Sequence, residues 1–408
     1  MRVKCDIFFI MSLTQLWKDS RYQVENKQLQ QIIAFAGEGK LRDGSITSVE
    51  FRDFLSIIPS ETLKQYANSC LSDSFPGSGL ALQDIVNQIG IRLGFEVENG
   101  FYQGSQNNIG NDGLWKLPGG HCVVVEVKTT DAYRIDSNKI AEYRKRLVAN
   151  QKIVEESSSI LIVVGRQDTG DLEAQIRGSR HAWDIRLISV ESLLKLMLLK
   201  ENVDDPQIIQ RICEILIPKE FTRLDNIIDI VFLTTEEAKQ DSEEETFGEG
   251  FEISDSEQIK PDHRWADFNE LCVEKFSKRK DIDLIRQTKT KYQSTNKKVR
   301  VVCSVSRDYT TLKGNTNETN GSFWSGFRLH QKEFLDGAES GYFLLGCGSA
   351  EDILVIESGE INKWLDELNV SAKDTFSHWH LHVFLENGKY FLEKKKGKGR
   401  LDITKYKM

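Results

Sequence analysis

The chain has 408 residues and a formal net charge of −8, from 54 Lys and Arg against 62 Asp and Glu. That balance excludes a protein that coats nucleic acid by bulk charge, although a locally positive cleft stays compatible with it. With 39% hydrophobic and 28% charged residues it reads as a soluble globular chain, long enough for two or three domains.

The opening MRVKCDIFFIMSL pairs a basic cluster with an apolar run too short for a signal-peptide core or a membrane span, and Met11 offers an alternative start. Residues 12–75 predict an α-helical N-terminal region: NKQLQQIIAFAGEGK and VEFRDFLSII carry amphipathic spacing, and Ser60 is placed to cap ETLKQYANSCL. LSDSFPGSG, residues 71–79, reads as a linker from its Ser, Gly and Pro content. In LALQDIVNQIGIRLGF, Leu82, Ile85, Val86, Ile89 and Leu93 recur at helical spacing, with Gly94 as the C-terminal cap and FEVENGFY following as a strand.

NDGLWKLPGGHCVVVEVKTT, residues 111–130, reads as two short strands joined by a Pro-Gly-Gly turn. A turn centred on Gly119 places Asp112 opposite Glu126 on one face of the pair. Lys128 shares that face, while Val125 and Val127 point the other way. Opposed carboxylates repel, and a divalent cation such as Mg²⁺ is the usual group that offsets this. A lysine beside such an ion can hold a phosphate oxygen, assist deprotonation of an attacking water, or stabilise developing negative charge. An exposed polar hairpin face is the plain alternative.

Beyond the hairpin, NKIAEYRKRLVANQ predicts a helix, ILIVVG a buried strand, and DIRLISV with ESLLKLMLLK a further strand and helix. Arg144, Lys145 and Arg146 crowd the first of these helices, with Tyr133 and Arg134 just before it; they suit phosphate contacts or a solvated helix face. This α/β stretch, which begins near residue 80, runs to about residue 235. Residues 236–260, which take in most of TTEEAKQDSEEETFGEGFEISDSEQ, are acidic and poor in large apolar side chains, as a flexible linker is.

From residue 261 to 408 a C-terminal α+β or mostly β domain that recognises DNA is expected, its basic residues meeting phosphates, with an interaction domain carrying Lys-rich ends as the alternative. KFSKRKDIDLIRQTKTKYQSTNKKVRVVCSVSRDY interleaves Tyr with basic residues, Lys289, Lys291 and Arg300 among them, and VRVVCSVS reads as a buried strand. SGFRLHQKEFLDG, YFLLGCG, DILVIES and WHLHVF continue as short strands and turns. In HWHLH, His378, His380 and His382 share a strand face, so a zinc or iron site stands open beside a packed or DNA-facing strand. Seven cysteines (Cys5, Cys70, Cys122, Cys213, Cys272, Cys303, Cys347) include no C-x-x-C pair, which points away from a disulfide framework and toward a reducing cytoplasm. No stretch approaches transmembrane length, and the chain lacks a GxxxxGK[ST] run, so no nucleotide cofactor is expected.

Asp112, Glu126 and Lys128, in the arrangement ND, strand and turn, then EVK, resemble the PD-(D/E)XK nuclease superfamily, and most of all its type II restriction endonucleases. Asn111 stands where the motif has proline, and the resemblance spans roughly residues 80–200. It implies an α/β, restriction-endonuclease-like αβββαβ core within 80–235. It implies a Mg²⁺-dependent endonuclease that hydrolyses phosphodiester bonds of double-stranded DNA, with Asp112 and Glu126 as metal ligands and Lys128 as the catalytic ammonium. The helix position where the family often places a metal-binding glutamate holds Gln83, next to Asp84. Cutting both strands calls for two such sites, hence a homodimer. The alternatives are a repair or phage-defence nuclease acting with an ATPase partner, and a DNA-binding protein whose hairpin is not catalytic.

Overall fold

The computed structural model describes residues 12–25, 27–73, 75–103, 109–129, 134–165, 170–218, 264–306, 308–310, 320–373, 376–395 and 397–408. The expected linker at 236–260, Tyr133 and Cys5 lie outside these residues. The architecture is mixed α/β, and the chain divides into two compact units, one from residues up to 200 with 210–227, the other from 201–209 and 228–408.

The first unit opens with helices α1 (Leu13–Glu25), α2 (Leu29–Phe35), α3 (Ile46–Ile57), α4 (Ser60–Ser72) and α5 (Ser78–Leu93). Ser45 caps α3, accepting from the Ser48 N–H at 3.2 Å. Ser60, expected to cap α4, is instead its first helical residue behind Pro59, and its hydroxyl accepts from Arg92 Nη1. Arg92 explains the change. Buried on α5, it also reaches the carbonyls of Leu55 and Ile58 at the end of α3, so the hydroxyl is spent on a tertiary contact. Gly94 ends α5 at φ +104°, a left-handed conformation that favours glycine.

The sheet of this unit comprises β1 (Glu96–Asn99), β2 (Gly113–Lys116), β3 (Cys122–Lys128), β4 (Ser158–Val164) and β5 (Ile185–Ser189), in that spatial order. β1, β2 and β3 pair antiparallel; β3, β4 and β5 run parallel. Helix α6 (Ser137–Ala149) links β3 to β4, with Asp136 capping it by accepting from the Lys139 N–H at 3.0 Å. α7 (Gly170–Arg177) links β4 to β5, followed by α8 (Val190–Glu201) and α9 (Pro206–Glu214). The sheet buries both faces. Ile140, Ala141 and Leu147 of α6 pack with Val124, Ile160, Ile162 and Val164. On the other face, Trp115 lies against Gly90 of α5, where an added Cβ would stand 2.6 Å from the indole. That close approach is why α5 carries a glycine in its fourth turn.

The second unit contains α10 (Arg264–Lys280), β6 (Leu284–Arg286), β7 (Lys291–Ser294), β8 (Val299–Ser306), β9 (Asn320–Arg328), α11 (Leu329–Asp336), β10 (Ser340–Cys347), β11 (Ile353–Glu357), α12 (Ser358–Trp364), β12 (Val370–Lys373), β13 (Phe376–Glu386), β14 (Lys389–Glu393) and β15 (Arg400–Asp402). LHQKEFLD, read above among strands and turns, is the helix α11. The Gln331 side chain accepts from the Arg328 N–H, and Leu335 is buried, so local capping and packing outweigh a weak sequence pattern.

One sheet runs β11-β10-β8-β7-β6, with β8 and β10 parallel and the other pairs antiparallel. Cys272, Val273 and Phe276 of α10 pack on its Val301, Cys303 and Leu344 face, while Leu335 of α11 packs with Val302, Phe343 and Leu345 on the opposite face. This repeats the plan of the first unit. In both, a helix precedes three antiparallel strands and covers one face, and a second helix on the other face leads into a strand parallel to the third. The further sheet runs β12-β13-β14-β15, with β9 also paired to β13.

Candidate active site

Pairing of Gly113 with Val125 and of Lys116 with Cys122 continues the register expected from a turn at Gly119. The ladder stops at Gly113. Asp112 then turns its N–H onto the Val125 carbonyl (3.0 Å) and its Oδ2 onto the Val127 N–H (2.6 Å), so one residue brackets Glu126 from both sides. The Asp112 carbonyl accepts from three donors: Gly100 N–H (3.0 Å), Asn87 Nδ2 (2.9 Å) and Gln83 Nε2 (3.1 Å). Asn87 is itself fixed by Trp115 Nε1 at 2.9 Å. Gly100 runs so close to this turn that a Cβ there would stand 1.9 Å from the Asn111 carbonyl oxygen.

Glu126 is buried, and Lys128 Nζ meets its Oε1 at 2.5 Å. Its Oε2 is buried with no hydrogen-bond partner among the described residues. A desolvated carboxylate oxygen left so is costly, and a cation at that oxygen would offset the penalty. Burial, reinforced by neighbouring Glu126, pushes the Asp112 carboxyl up to about 7. Burial also raises Glu126, against the opposing pull of Lys128 and Lys139. Although burial works to lower Lys128, Glu126 and Asp112 hold its ammonium above the ordinary lysine value. Two carboxylates and an ammonium thus share one desolvated patch at the C-terminal end of β3. Carboxylate oxygens in this number suit a hard divalent cation whose remaining positions go to water and substrate.

Gln83 lies at this site, where its amide nitrogen donates to the Asp112 carbonyl and so helps to hold the turn. Asp84 faces elsewhere. Fully buried, it pairs with Arg52 of α3 at 2.9 Å and accepts from Tyr102 Oη, and burial pushes it up to about 6.

Sequence reasoning missed Asn87, Gly100, Lys139 and Tyr143. Lys139 acts electrostatically on Glu126 and Tyr143 on Lys128, and the Tyr143 hydroxyl borders Gly110, 3.1 Å from where a Cβ would be. The signal was present in NKIAEYR: positions four apart on a helix share a face.

The expected DNA contacts divide. Arg134 and Lys145 are exposed, and Lys289 is half-buried. Arg144 is not available for phosphate: it donates to Ser158 Oγ (2.9 Å) and the Glu155 carbonyl (2.6 Å) and pairs with Asp184 (3.4 Å). It lines a polar groove of about 380 Å³ with His121, Ser159 and Trp183, at the N-terminal ends of β3 and β4, opposite the carboxylates. Lys291 is buried over the Phe334 ring and lowers the carboxyl of buried Asp204. Arg300 donates to Gln293 Oε1 and the Phe334 carbonyl. These three cations hold the fold.

The imidazoles of His378, His380 and His382 share a sheet face as expected, with His378 stacked on His380 at 5.0 Å and His380 and His382 hydrogen-bonded to neighbouring strands. His380 meets Trp324 Nε1 (3.2 Å) and Ser371 Oγ (2.7 Å); His382 meets Ser322 Oγ (3.0 Å) and Glu393 Oε2 (3.0 Å). In the second unit the strand positions that match Glu126 and Lys128 in plan hold Ser304 and Ser306. β9 covers both, through Ser325 Oγ at 2.9 Å and the Trp324 N–H at 2.7 Å. Neither a protein-family model nor a curated protein sequence matches this chain.

Proposed function

We propose that this protein is a divalent-metal-dependent endodeoxyribonuclease of the PD-(D/E)XK kind, with Mg²⁺ as cofactor, double-stranded DNA as substrate and a homodimer as the cutting form. The observation that carries the reading is the buried Glu126 carboxylate, one oxygen on Lys128 and the other without a hydrogen-bond partner among the described residues, clasped by Asp112. The order α5-β1-β2-β3-α6-β4, with the acidic residues at the head of β2 and on β3, supports the resemblance seen in the sequence.

A divalent cation at Asp112 and Glu126 would supply Lewis acidity, neutralise phosphate charge and ease deprotonation of water. Lys128, kept protonated by the two carboxylates, is placed to donate to a nonbridging phosphate oxygen and to stabilise the charge that builds there. Lys139 adds a second cation from α6. Gln83, Asn87 and Gly100 hold the Asp112 turn, so the pair needs no rearrangement before substrate arrives.

The test is incubation of the full chain with phage DNA of known sequence and Mg²⁺, followed by end mapping. Discrete fragments are expected, abolished by Asp112→Ala and by Lys128→Ala with DNA binding retained. Normal cleavage by either variant removes the site assignment.

A further inference from the structure

The sheet β12-β13-β14-β15 with β9 has one face in the core and one toward solvent. Leu381 and Val383 of β13 join Phe323, Phe327 and Leu392 inside. The outward positions of such a sheet are ordinarily polar. Here they carry Trp324, His378, His380, His382, Phe384 and Phe391, all half-exposed. The rings form one continuous patch: Trp324 lies 5.8 Å from His378 and 5.6 Å from His380, and His382 lies 4.3 Å from Phe384. Phe391 pairs directly across from Phe384.

Charge follows the same edge. Residues 389–408 hold eight Lys and Arg against two Asp and Glu, in a chain that is otherwise acidic. Several of these cations are anchored: Lys394 pairs with Glu367, and Arg400 pairs with Glu386 while covering the Phe384 ring at 4.0 Å. Lys389, the first residue of β14, and Lys398, between β14 and β15, are exposed.

We infer that this face binds single-stranded nucleic acid, bases against the Trp324, imidazole and Phe391 rings and phosphates along the basic β14–β15 hairpin. In a duplex the base faces are already stacked, so an aromatic sheet can engage only unpaired nucleotides, while the neighbouring cations follow the backbone. The inference goes beyond the hydrolytic reading and does not need the acidic centre. It is therefore tested without divalent metal.

The probe is a fluorescein-labelled single strand of about 20 nucleotides, longer than the ~4–16 that a single binding face of this size covers, titrated with the full chain in EDTA and read by anisotropy. Matched duplex and phosphatidylserine vesicles are the comparison arms. The strand should bind more tightly than the duplex, with affinity falling as salt rises. Trp324→Ala should weaken it about tenfold. The double substitution Lys389→Glu with Lys398→Glu should weaken it similarly and flatten the salt dependence. The surface lysine pair carries the test if the Trp324 variant fails to fold. No binding of the strand, binding to vesicles alone, duplex bound as tightly as the strand, or affinity unchanged in the lysine variant overturns the inference. Cleavage of phage DNA is a separate readout, so this proposal and the nuclease reading can fail independently.

Discussion

Replacing Asp112 by asparagine tests the acidic centre through stability alone. The carboxyl titrates at about 7 in the folded chain, because burial withholds water from its charged form and Glu126 stands beside it. Unfolded, an aspartate titrates near ~3.9. The folded state thus holds the proton more tightly, so this group's contribution to stability is complete below pH ~4 and is lost as the pH rises through ~7. Between pH 5 and pH 8 the loss integrates to about 2–3 kcal/mol, roughly 5–10 °C in the Tm of a unit this size. Because Asp112 and Glu126 interact, the titration belongs to the pair. Asparagine keeps an oxygen to accept from the Val127 N–H but carries no charge, so Asp112→Asn should lack this pH-dependent loss. Urea unfolding of both proteins in EDTA at pH 5 and pH 8 measures the difference. Mg²⁺ at pH 8 should raise the stability of the native chain and leave the variant unmoved. Identical pH profiles for the two proteins would refute the reasoning.

Lys139→Ala should lower the rate of plasmid cleavage about 100-fold with little change in stability, since an exposed helix cation is lost from the neighbourhood of the phosphate; an unaltered rate would place Lys139 outside the site. Gly100→Ala drives a Cβ into the Asn111 carbonyl, so it should cost about 1–3 kcal/mol in urea unfolding and cleavage should fall with it. Arg52→Ala leaves the Asp84 carboxylate buried without its cation, at a cost of about 3–5 kcal/mol. Adding Asp84→Asn should recover part of that in the same unfolding assay, and no recovery would show that Arg52 acts through packing alone.

Much of the first unit was legible because its signals are local. Leu82, Ile85, Val86, Ile89 and Leu93 define α5 by spacing alone, and Gly94 ends it through a backbone angle that other residues resist. The Pro-Gly-Gly turn sets the pairing of Gly113 with Val125 without help from the rest of the chain. Where a side chain's role depends on a distant partner, sequence reasoning failed. Ser60 has the chemistry of a cap, yet Arg92, 32 residues on, claims its hydroxyl. Arg144, Lys291 and Arg300 look like phosphate contacts in a basic run, and each is consumed by acceptors, rings or buried charge from other parts of the chain.

The sequence by itself determined the mixed α/β class, the hairpin register and the convergence of Asp112, Glu126 and Lys128 on one patch. Each follows from a repeat of two or 3.6 residues, or from a turn only a few residues long. Only the tertiary structure decided that the ladder stops at Gly113 so that Asp112 clasps Glu126, that Gln83 holds a carbonyl, that α6 brings Lys139 and Tyr143 alongside, and that the second unit repeats the plan with β9 laid over Ser304 and Ser306. Those outcomes depend on which desolvated groups find partners across tens of residues, and local periodicity carries no information about that choice.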